Sequence, residues 1–118
     1  TTEVLPRLEG KLDGMAMRVP TPNGSITDFT VDLEADAGRS EINEAFMDAA
    51  AGELSGVMGV TDEQVVSRDI IGEPFSTLVD LDSTMAIEGG LVKVLTWYDN
   101  EFGFANRMLD LGRYVVEH

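Results

Sequence analysis

Apolar and polar residues alternate in several stretches of the chain, and this period of two is typical of β-strands that turn one face toward a core. In residues 26–33, for example, Phe29, Val31 and Leu33 fall on one face and polar residues fall between them. The same period predicts strands over residues 14–20, 26–33, 76–81, 84–88 and 91–98, and a short strand over 64–67. Residues 89 and 90, both Gly, predict a tight hairpin between the last two.

A helical period appears twice. The first helix is predicted to begin at Ser40, a favoured N-cap residue, and to end at Gly52. Its apolar positions are Ile42, Ala45, Phe46, Ala49 and Ala50. The second helix is predicted to follow Asp99, with Asp99 or Asn100 as its cap, and its apolar positions are Phe104, Met108, Leu111 and Val115.

Strands outnumber helices in this pattern, and the strands do not alternate regularly with helices. The fold class predicted is therefore α+β, with a mixed, mostly antiparallel sheet whose helices cover one face. Residues 91–98 are mostly apolar on both faces, which predicts a central strand. Because 118 residues suffice for one core and no repeat or low-complexity linker is present, one domain is expected.

Charge narrows the possible partners. Twenty-two acidic and eight basic residues give a formal net charge of −14, which argues against binding to nucleic acid or to an anionic membrane surface. The acidic residues are spread along the whole chain, and Lys11 and Lys93 are the only lysines. This pattern predicts adaptation to high salt, where screening removes the self-repulsion; an ordinary acidic domain is the alternative.

Other features of the composition concern location. The sequence contains no Cys, and no stretch approaches the ~20 apolar residues of a membrane span. The first residues have neither the basic nor the apolar part of a secretory signal. A soluble, cytoplasmic protein is therefore expected. Because a natural chain usually begins with Met, the start at Thr1 also favours a truncated sequence.

Arg18 and Asn100 are the candidate ligand-binding residues. The alternation in residues 14–20 places Arg18 on the face opposite Met15 and Met17, and a guanidinium offers a fork of donors that matches phosphate oxygens. The simpler alternative is an ion pair with a nearby acid. Asn100 lies where a strand hands over to a helix, and its amide can both donate to and accept from a carboxamide. Its simpler alternative is a helix cap.

Asp80 and Asp82 lie two apart on a predicted strand and so share a face, which could serve metal binding or acid-catalysed hydrolysis. In a chain this acidic, such pairs arise by frequency alone, and no third ligand such as His is near them. We therefore expect no metal site, and an acidic hydrolase is the least favoured hypothesis.

Two longer motifs are more specific. The run WYDNEFGFANR at residues 97–107 resembles the WYDNE(Y/W)GYSNR signature of phosphorylating glyceraldehyde-3-phosphate dehydrogenases, and GMAMRVPTPN at residues 14–23 resembles that family's GMAxRVPTPN segment. The resemblance extends over about residues 5–114. It implies that residues 1–118 form the latter part of the family's C-terminal catalytic domain. The Rossmann domain and the segment bearing the catalytic Cys and His would then be absent.

The resemblance also implies roles for particular residues. Arg18 matches the arginine that binds the substrate phosphate and inorganic phosphate, and Asn100 matches the asparagine that holds the nicotinamide amide. Tyr98 and Glu101 match positions near the same pocket, where they would orient and pack. Phe104 stands where the family usually has Tyr, so an apolar wall remains and a hydroxyl is lost. No catalytic residue is expected in this chain, because it lacks Cys and its one His, His118, is the last residue.

By resemblance, the parent protein would be an oxidoreductase of glycolysis and gluconeogenesis. It would oxidise glyceraldehyde 3-phosphate with phosphate and NAD or NADP to 1,3-bisphosphoglycerate, working as a homotetramer. The chain alone would be inactive and would self-associate at low salt or bind its missing half. The alternative is a truncated, non-catalytic relative that acts as an oligomerisation or interaction domain.

Overall fold

Four strands and two helices make up the regular structure of residues 3–88 and 90–118, the parts of the chain that this computed structural model describes. The elements are strand β1 (Ser25–Asp32), helix α1 (Arg39–Ala51), strands β2 (Met58–Thr61), β3 (Thr77–Ile87) and β4 (Leu91–Tyr98), and helix α2 (Phe102–Glu117). A short 3-10 turn, Pro6–Leu8, precedes them. The strand predicted at 91–98 and the helix predicted to end at Gly52 are confirmed.

The strands form one sheet in the order β1-β4-β3-β2. β4 pairs antiparallel with both β1 and β3, while β2 pairs parallel with β3. The α+β class and the mixed, mostly antiparallel sheet are therefore confirmed, and β4 is central as predicted. Its two faces differ in burial: Val92 and Val94 lie in the core, whereas Leu91 on the opposite face is 43% exposed.

The core lies between α1 and one face of the sheet. It is built around the buried residues Ile42, Val79, Val92 and Val94, with Phe46 packed against them. Helix α1 begins earlier than predicted: Gly38 is its N-cap, and the Gly38 N–H donates to Oε2 of Glu41 at 2.9 Å. Ser40 is thus already inside the helix, and the prediction of Ser40 as N-cap is wrong. This bond is the half of a capping box in which the side chain at N3 accepts the backbone N–H of the N-cap residue.

The two strands predicted over 76–81 and 84–88 are one strand, β3, with a register shift between Asp80 and Met85. At the shift Asp80 accepts hydrogen bonds from the N–H of Ser83 at 3.1 Å and from its Oγ at 2.9 Å. These local bonds replace ladder bonds, so the strand bends without ending. β3 then connects to β4 through residues 88–90, where Gly90 takes a φ of 91° that favours glycine. The other glycine of the predicted hairpin, Gly89, lies outside the described residues.

Two predicted strands are wrong. Residues 14–19 form no regular structure, and Met15 and Met17 are 85% and 79% exposed. Their alternation is strand-like, but within the described residues no other strand pairs with them, and a strand needs a partner for its backbone. Residues 64–66 form no regular structure, and Asp69, in the turn that follows them, accepts from the Val66 N–H at 2.8 Å. The strand in this region is β2 instead, because Met58 and Val60 pack on the core.

Helix α2 follows Asp99 as predicted, but its apolar stripe faces away from the sheet. The side chains of Phe104, Met108, Leu111 and Val115 are all more than half exposed. Of the two helices in the described residues, α1 is therefore the one that covers the sheet extensively. Neither helix has the length and apolar character that crossing a bilayer requires, a finding that applies to the described residues.

Candidate functional site

The corner between β4 and α2 is organised by a buried carboxylate. Asp99 is 2% exposed, and its Oδ1 accepts the backbone N–H groups of Glu101 and Phe102, each at 2.9 Å. These are among the N–H groups that have no partner inside a helix, so Asp99 caps α2. The residue immediately before α2 is Glu101, which is neither of the two caps that the sequence predicted. The capping acceptor nevertheless comes from one of them, Asp99, two residues further upstream.

The second oxygen of Asp99 reaches two distant loops. Oδ2 accepts the backbone N–H of Gly72 at 2.8 Å and Nδ2 of Asn23 at 3.0 Å. The Gly72 N–H lowers the pKa of Asp99 most, followed by the Phe102 N–H; burial opposes them, and the net pKa shift is downward. Asp99 is therefore a stable carboxylate that joins the loop before β1, the loop before β3 and the start of α2.

Asn100 is exposed and joins the same loop before β1 by a separate bond. Its Oδ1 accepts the backbone N–H of Gly24 at 3.0 Å. Because this bond engages the carbonyl oxygen of the amide, the NH2 group points away from Gly24. Asn100 can therefore donate two hydrogen bonds to a group outside the described chain.

Arg18 lies in the exposed segment without regular structure that leads to this loop. Gly24 is six positions further along the chain, which limits the backbone distance between the two residues to about 20 Å. Between them the Thr21 N–H donates to the carbonyl of Val19 at 2.8 Å, which forms a tight turn. The described residues contain no hydrogen bond or ion pair of Arg18, with Asn100 or with an acid. The structure thus tethers the Arg18 segment to the Asn100 corner without bringing the two side chains into contact.

The remaining predicted site residues surround this corner. Tyr98, at the end of β4, pairs with Ser25 of β1 and is half-buried. Glu101 is exposed and contributes its N–H to the Asp99 cap. Phe104 lies in the first turn of α2, four residues after Asn100, and its apolar ring is 66% exposed.

The start of α2 is fixed against the edge of the sheet even though its later turns are exposed. Gly103 is buried, and a Cβ built on it would lie 2.8 Å from the carbonyl oxygen of Phe75. One turn further on, Arg107 donates from Nη1 to Oγ of Ser76 at 3.3 Å and from Nη2 to the carbonyl of Gly56 at 3.0 Å. These contacts hold Asn100 and Phe104 at a defined position relative to β2 and β3.

Asp80 and Asp82 do not form an acidic pair. Asp80 is engaged with Ser83 as described above, whereas the half-exposed Asp82 pairs with Nη2 of Arg39 at 3.2 Å. Both line an open cavity of about 610 Å3 that also includes Trp97. Among the described residues, no group of three or more His, Cys, Asp or Glu side chains could hold a metal ion.

Sequence reasoning named Asp99 only as a possible cap, and it missed Asn23 and Gly72. A buried Asp at a strand-to-helix corner can be expected to cap locally, because the partners are two and three residues away. Asn23 is 76 residues from Asp99 and Gly72 is 27 residues from it, and no periodicity in the sequence links them. The turn-forming residues 20–24 were the one available signal that a fixed loop lies there.

Comparison with known proteins gives consistent matches. Residues 1–100 match the family model described as glyceraldehyde 3-phosphate dehydrogenase, C-terminal domain. The glyceraldehyde-3-phosphate dehydrogenase of Haloarcula vallismortis is 66% identical over 116 residues, which are 98% of this chain and 34% of that protein. That of Geobacillus stearothermophilus is 50% identical over 113 residues, which are 96% of this chain and 34% of that protein. The chain thus spans about a third of the length of these curated relatives.

Proposed function

This chain belongs to the family of glyceraldehyde-3-phosphate dehydrogenase C-terminal domains, and from that membership we propose that its parent protein oxidises glyceraldehyde 3-phosphate with inorganic phosphate and NAD or NADP. The product would be 1,3-bisphosphoglycerate. The single observation that supports a binding role for this chain is the junction at Asp99 and Asn100, which ties the Arg18 segment to the strand–helix corner. We further propose that residues 1–118 are the latter part of the catalytic domain and that the protein works in the cytoplasm.

Arg18 is proposed to bind the phosphate groups of the aldehyde and of inorganic phosphate. Its guanidinium is exposed, and no acid among the described residues engages it, so its donors are available to an anion. The net charge of the chain is −14, so an exposed cationic side chain contrasts with the mostly acidic surface. An Arg also suits phosphate better than Lys, because its fork of donors can bind two oxygens at once.

Asn100 is proposed to hold the carboxamide of the nicotinamide. The bond from Gly24 occupies Oδ1, which leaves the NH2 group as a donor toward the carboxamide oxygen. The half-buried ring of Tyr98, the carboxylate of Glu101 and the exposed ring of Phe104 would line the same side of the pocket. When bound, the nicotinamide cofactor accepts the hydride.

The thiol and the base of such a dehydrogenase would come from the remainder of the parent protein, since this sequence contains no Cys. The choice between NAD and NADP would also be made there. The parent is proposed to be a homotetramer that buries the sheet face opposite α1. On that face Met85, Ile87 and Leu91 are between 43% and 62% exposed, around the ion pair between Lys93 and Asp28 at 2.8 Å.

The test is phosphate-dependent reduction of NAD or NADP by the full-length protein with glyceraldehyde 3-phosphate. We expect Arg18→Ala to reduce kcat/KM about 10- to 100-fold through the KM values for aldehyde and phosphate, because one charge-assisted bond contributes about 1.5–3 kcal/mol. Arg113→Ala is the matched control, since Arg113 is 75% exposed at the far end of α2. An Arg18 variant as active as this control would contradict the proposed role of Arg18, and an inactive wild-type protein would contradict the proposed activity.

A non-catalytic interaction domain is the second candidate function. It is favoured by the apolar surface of α2, on which Leu109 and Val116 are 63% and 87% exposed. In that case the full-length protein would assemble with a partner through α2 and would show no turnover. The activity measurement therefore separates the two candidates.

A further inference from the structure

Capping a helix does not account for all of the hydrogen bonds that Asp99 makes. Oδ1 satisfies the N–H groups of Glu101 and Phe102, and this alone would cap α2. Oδ2 is directed instead to Gly72 and to the side chain of Asn23, in two loops distant in sequence. Burying a carboxylate oxygen costs free energy unless hydrogen-bond donors are held in place around it. The donors to Oδ2 come from two loops, so this oxygen fixes the loops and not the helix.

The loop before β1 is bound to the corner by two parallel connections. Asn23 donates to Asp99, and its neighbour Gly24 donates to Asn100, each at 3.0 Å. Adjacent residues of the loop therefore bond to adjacent residues of the corner. A shift of the loop would lengthen both bonds together. Loss of the bond to Asp99 would therefore also weaken the bond between Gly24 and Asn100.

We propose that Asp99 is a positioning residue, which holds the Asn100 amide and, through Asn23, the segment bearing Arg18 in a fixed mutual geometry without touching substrate or cofactor. The inference rests on the proposed function, because it is the roles proposed for Asn100 and Arg18 that give this geometry a consequence. The buried position of Asp99 keeps its carboxylate out of reach of a ligand.

The first experiment is a double-mutant cycle in the full-length protein. Asp99→Asn keeps the shape of the side chain but replaces one oxygen by an NH2 group, which then faces two donors in either orientation. We expect kcat/KM to fall by about 100-fold, the size of effect that a displacement of about 1 Å at a distance from the reacting atoms can have. In the Asn100→Ala background the same change should have a smaller effect, because only the positioning of the Arg18 segment through Asn23 then remains to be lost.

A merely structural Asp99 would give a different result. The two losses in kcat/KM would then multiply to within about twofold, as they do for independent sites, and the proposal would be overturned. Asp80→Asn is the matched control: Asp80 is also buried, at 8% exposure, and among the described residues its carboxylate accepts hydrogen bonds from Ser83 alone. We expect Asp80→Asn to combine with Asn100→Ala in this independent manner.

A second measurement does not depend on activity. In the full-length protein, Asp99→Asn should speed amide hydrogen exchange at Gly24, whose N–H bonds to Asn100 and not to Asp99, whereas Asp80→Asn should leave it unchanged. Unchanged exchange at Gly24 in Asp99→Asn overturns the positioning role whatever the enzyme does. A wild-type protein without dehydrogenase activity overturns only the proposed function.

If Asp99→Asn does not fold, Asn23→Ala serves in its place. It removes one of the two donors to Oδ2 and leaves the cap of α2 intact. We expect it to raise the exchange rate at Gly24 and to be non-additive with Asn100→Ala, by a smaller factor than Asp99→Asn. Independent effects of Asn23→Ala and Asn100→Ala, with Gly24 exchange as in the wild type, would overturn the proposal.

Discussion

At the scale of single residues, the structure depends most on Asp99, because it is buried and ionised at once. An uncompensated carboxylate in the interior would be strongly destabilising, yet four donors surround this one: three backbone N–H groups and the amide of Asn23. All four donors are neutral. The charge is therefore stabilised by hydrogen bonding, which is insensitive to the salt that screens ion pairs at the surface.

The lowered pKa of Asp99 predicts how stability depends on pH. Because the pKa is lower in the folded state than in the unfolded state, Asp99 contributes its stabilisation fully above the unfolded pKa, near 4, and this contribution is lost as pH falls through the folded pKa. The free energy of unfolding of the wild type should thus exceed that of Asp99→Asn by about 1–3 kcal/mol at neutral pH, and the difference should shrink in acid. Urea unfolding of both proteins from pH 7 downward measures this, and a constant difference would contradict it.

How much of the site the sequence predicts depends on the distance between its parts along the chain. Asn100 was predicted at this corner because a strand end and a helix start are local patterns, and the capping role of Asp99 followed from the same pattern. Tyr98 and Glu101 were named there only through the family resemblance. The bonds from Asn23 and Gly72 join loops that no local pattern connects, so only the folded chain reveals them.

At the scale of elements, two glycines of α2 differ in what surrounds them. A Cβ on Gly103 would lie 2.8 Å from the carbonyl oxygen of Phe75, which is backbone and cannot turn aside, whereas a Cβ on Gly112 meets no described atom within 4 Å. We expect Gly103→Ala to lower the free energy of unfolding by about 1–3 kcal/mol through the clash. Gly112→Ala should raise it by up to about 1 kcal/mol, since Ala is the better helix former. Urea unfolding in the same buffer compares the two, and shifts of the same sign would contradict the contact at Phe75.

The two main errors in predicting strands have different physical causes. Alternation shows that a segment suits a strand but not whether a neighbour is available, so residues 14–20 were predicted as a strand and are not one here. The opposite error occurred in β3, which was predicted as two separate strands over residues 76–81 and 84–88. The bonds of Ser83 to Asp80 carry the strand through a register shift instead.

At the scale of the whole molecule, strong negative charge coexists with large exposed apolar areas. The net charge of −14 makes copies of the chain repel one another most strongly at low ionic strength, which opposes the low-salt self-association predicted from the sequence. The Debye length falls to about 8 Å at physiological salt and about 3 Å at 1 M, so this repulsion weakens as salt is added. Apolar side chains on α2 and on the open sheet face remain exposed at any salt concentration. Adaptation to high salt, predicted from the composition, would therefore bring a tendency to associate wherever these surfaces are uncovered.

We predict that the isolated chain self-associates, and that α2 is the surface responsible. Leu109 and Val116 lie seven residues apart on one face of α2 and are 63% and 87% exposed, so joining two such faces removes apolar area from water at about 25 cal/mol per Å2. Sedimentation across a range of salt concentrations should show species heavier than the 12.8 kDa monomer.

Replacing Leu109 and Val116 by Gln should shift the distribution toward the monomer without changing the net charge, whereas Ser40→Gln on the exposed surface of α1 should not. A monomer at every salt concentration would contradict self-association, and an unchanged distribution in the α2 variant would place the interface elsewhere, on the open sheet face.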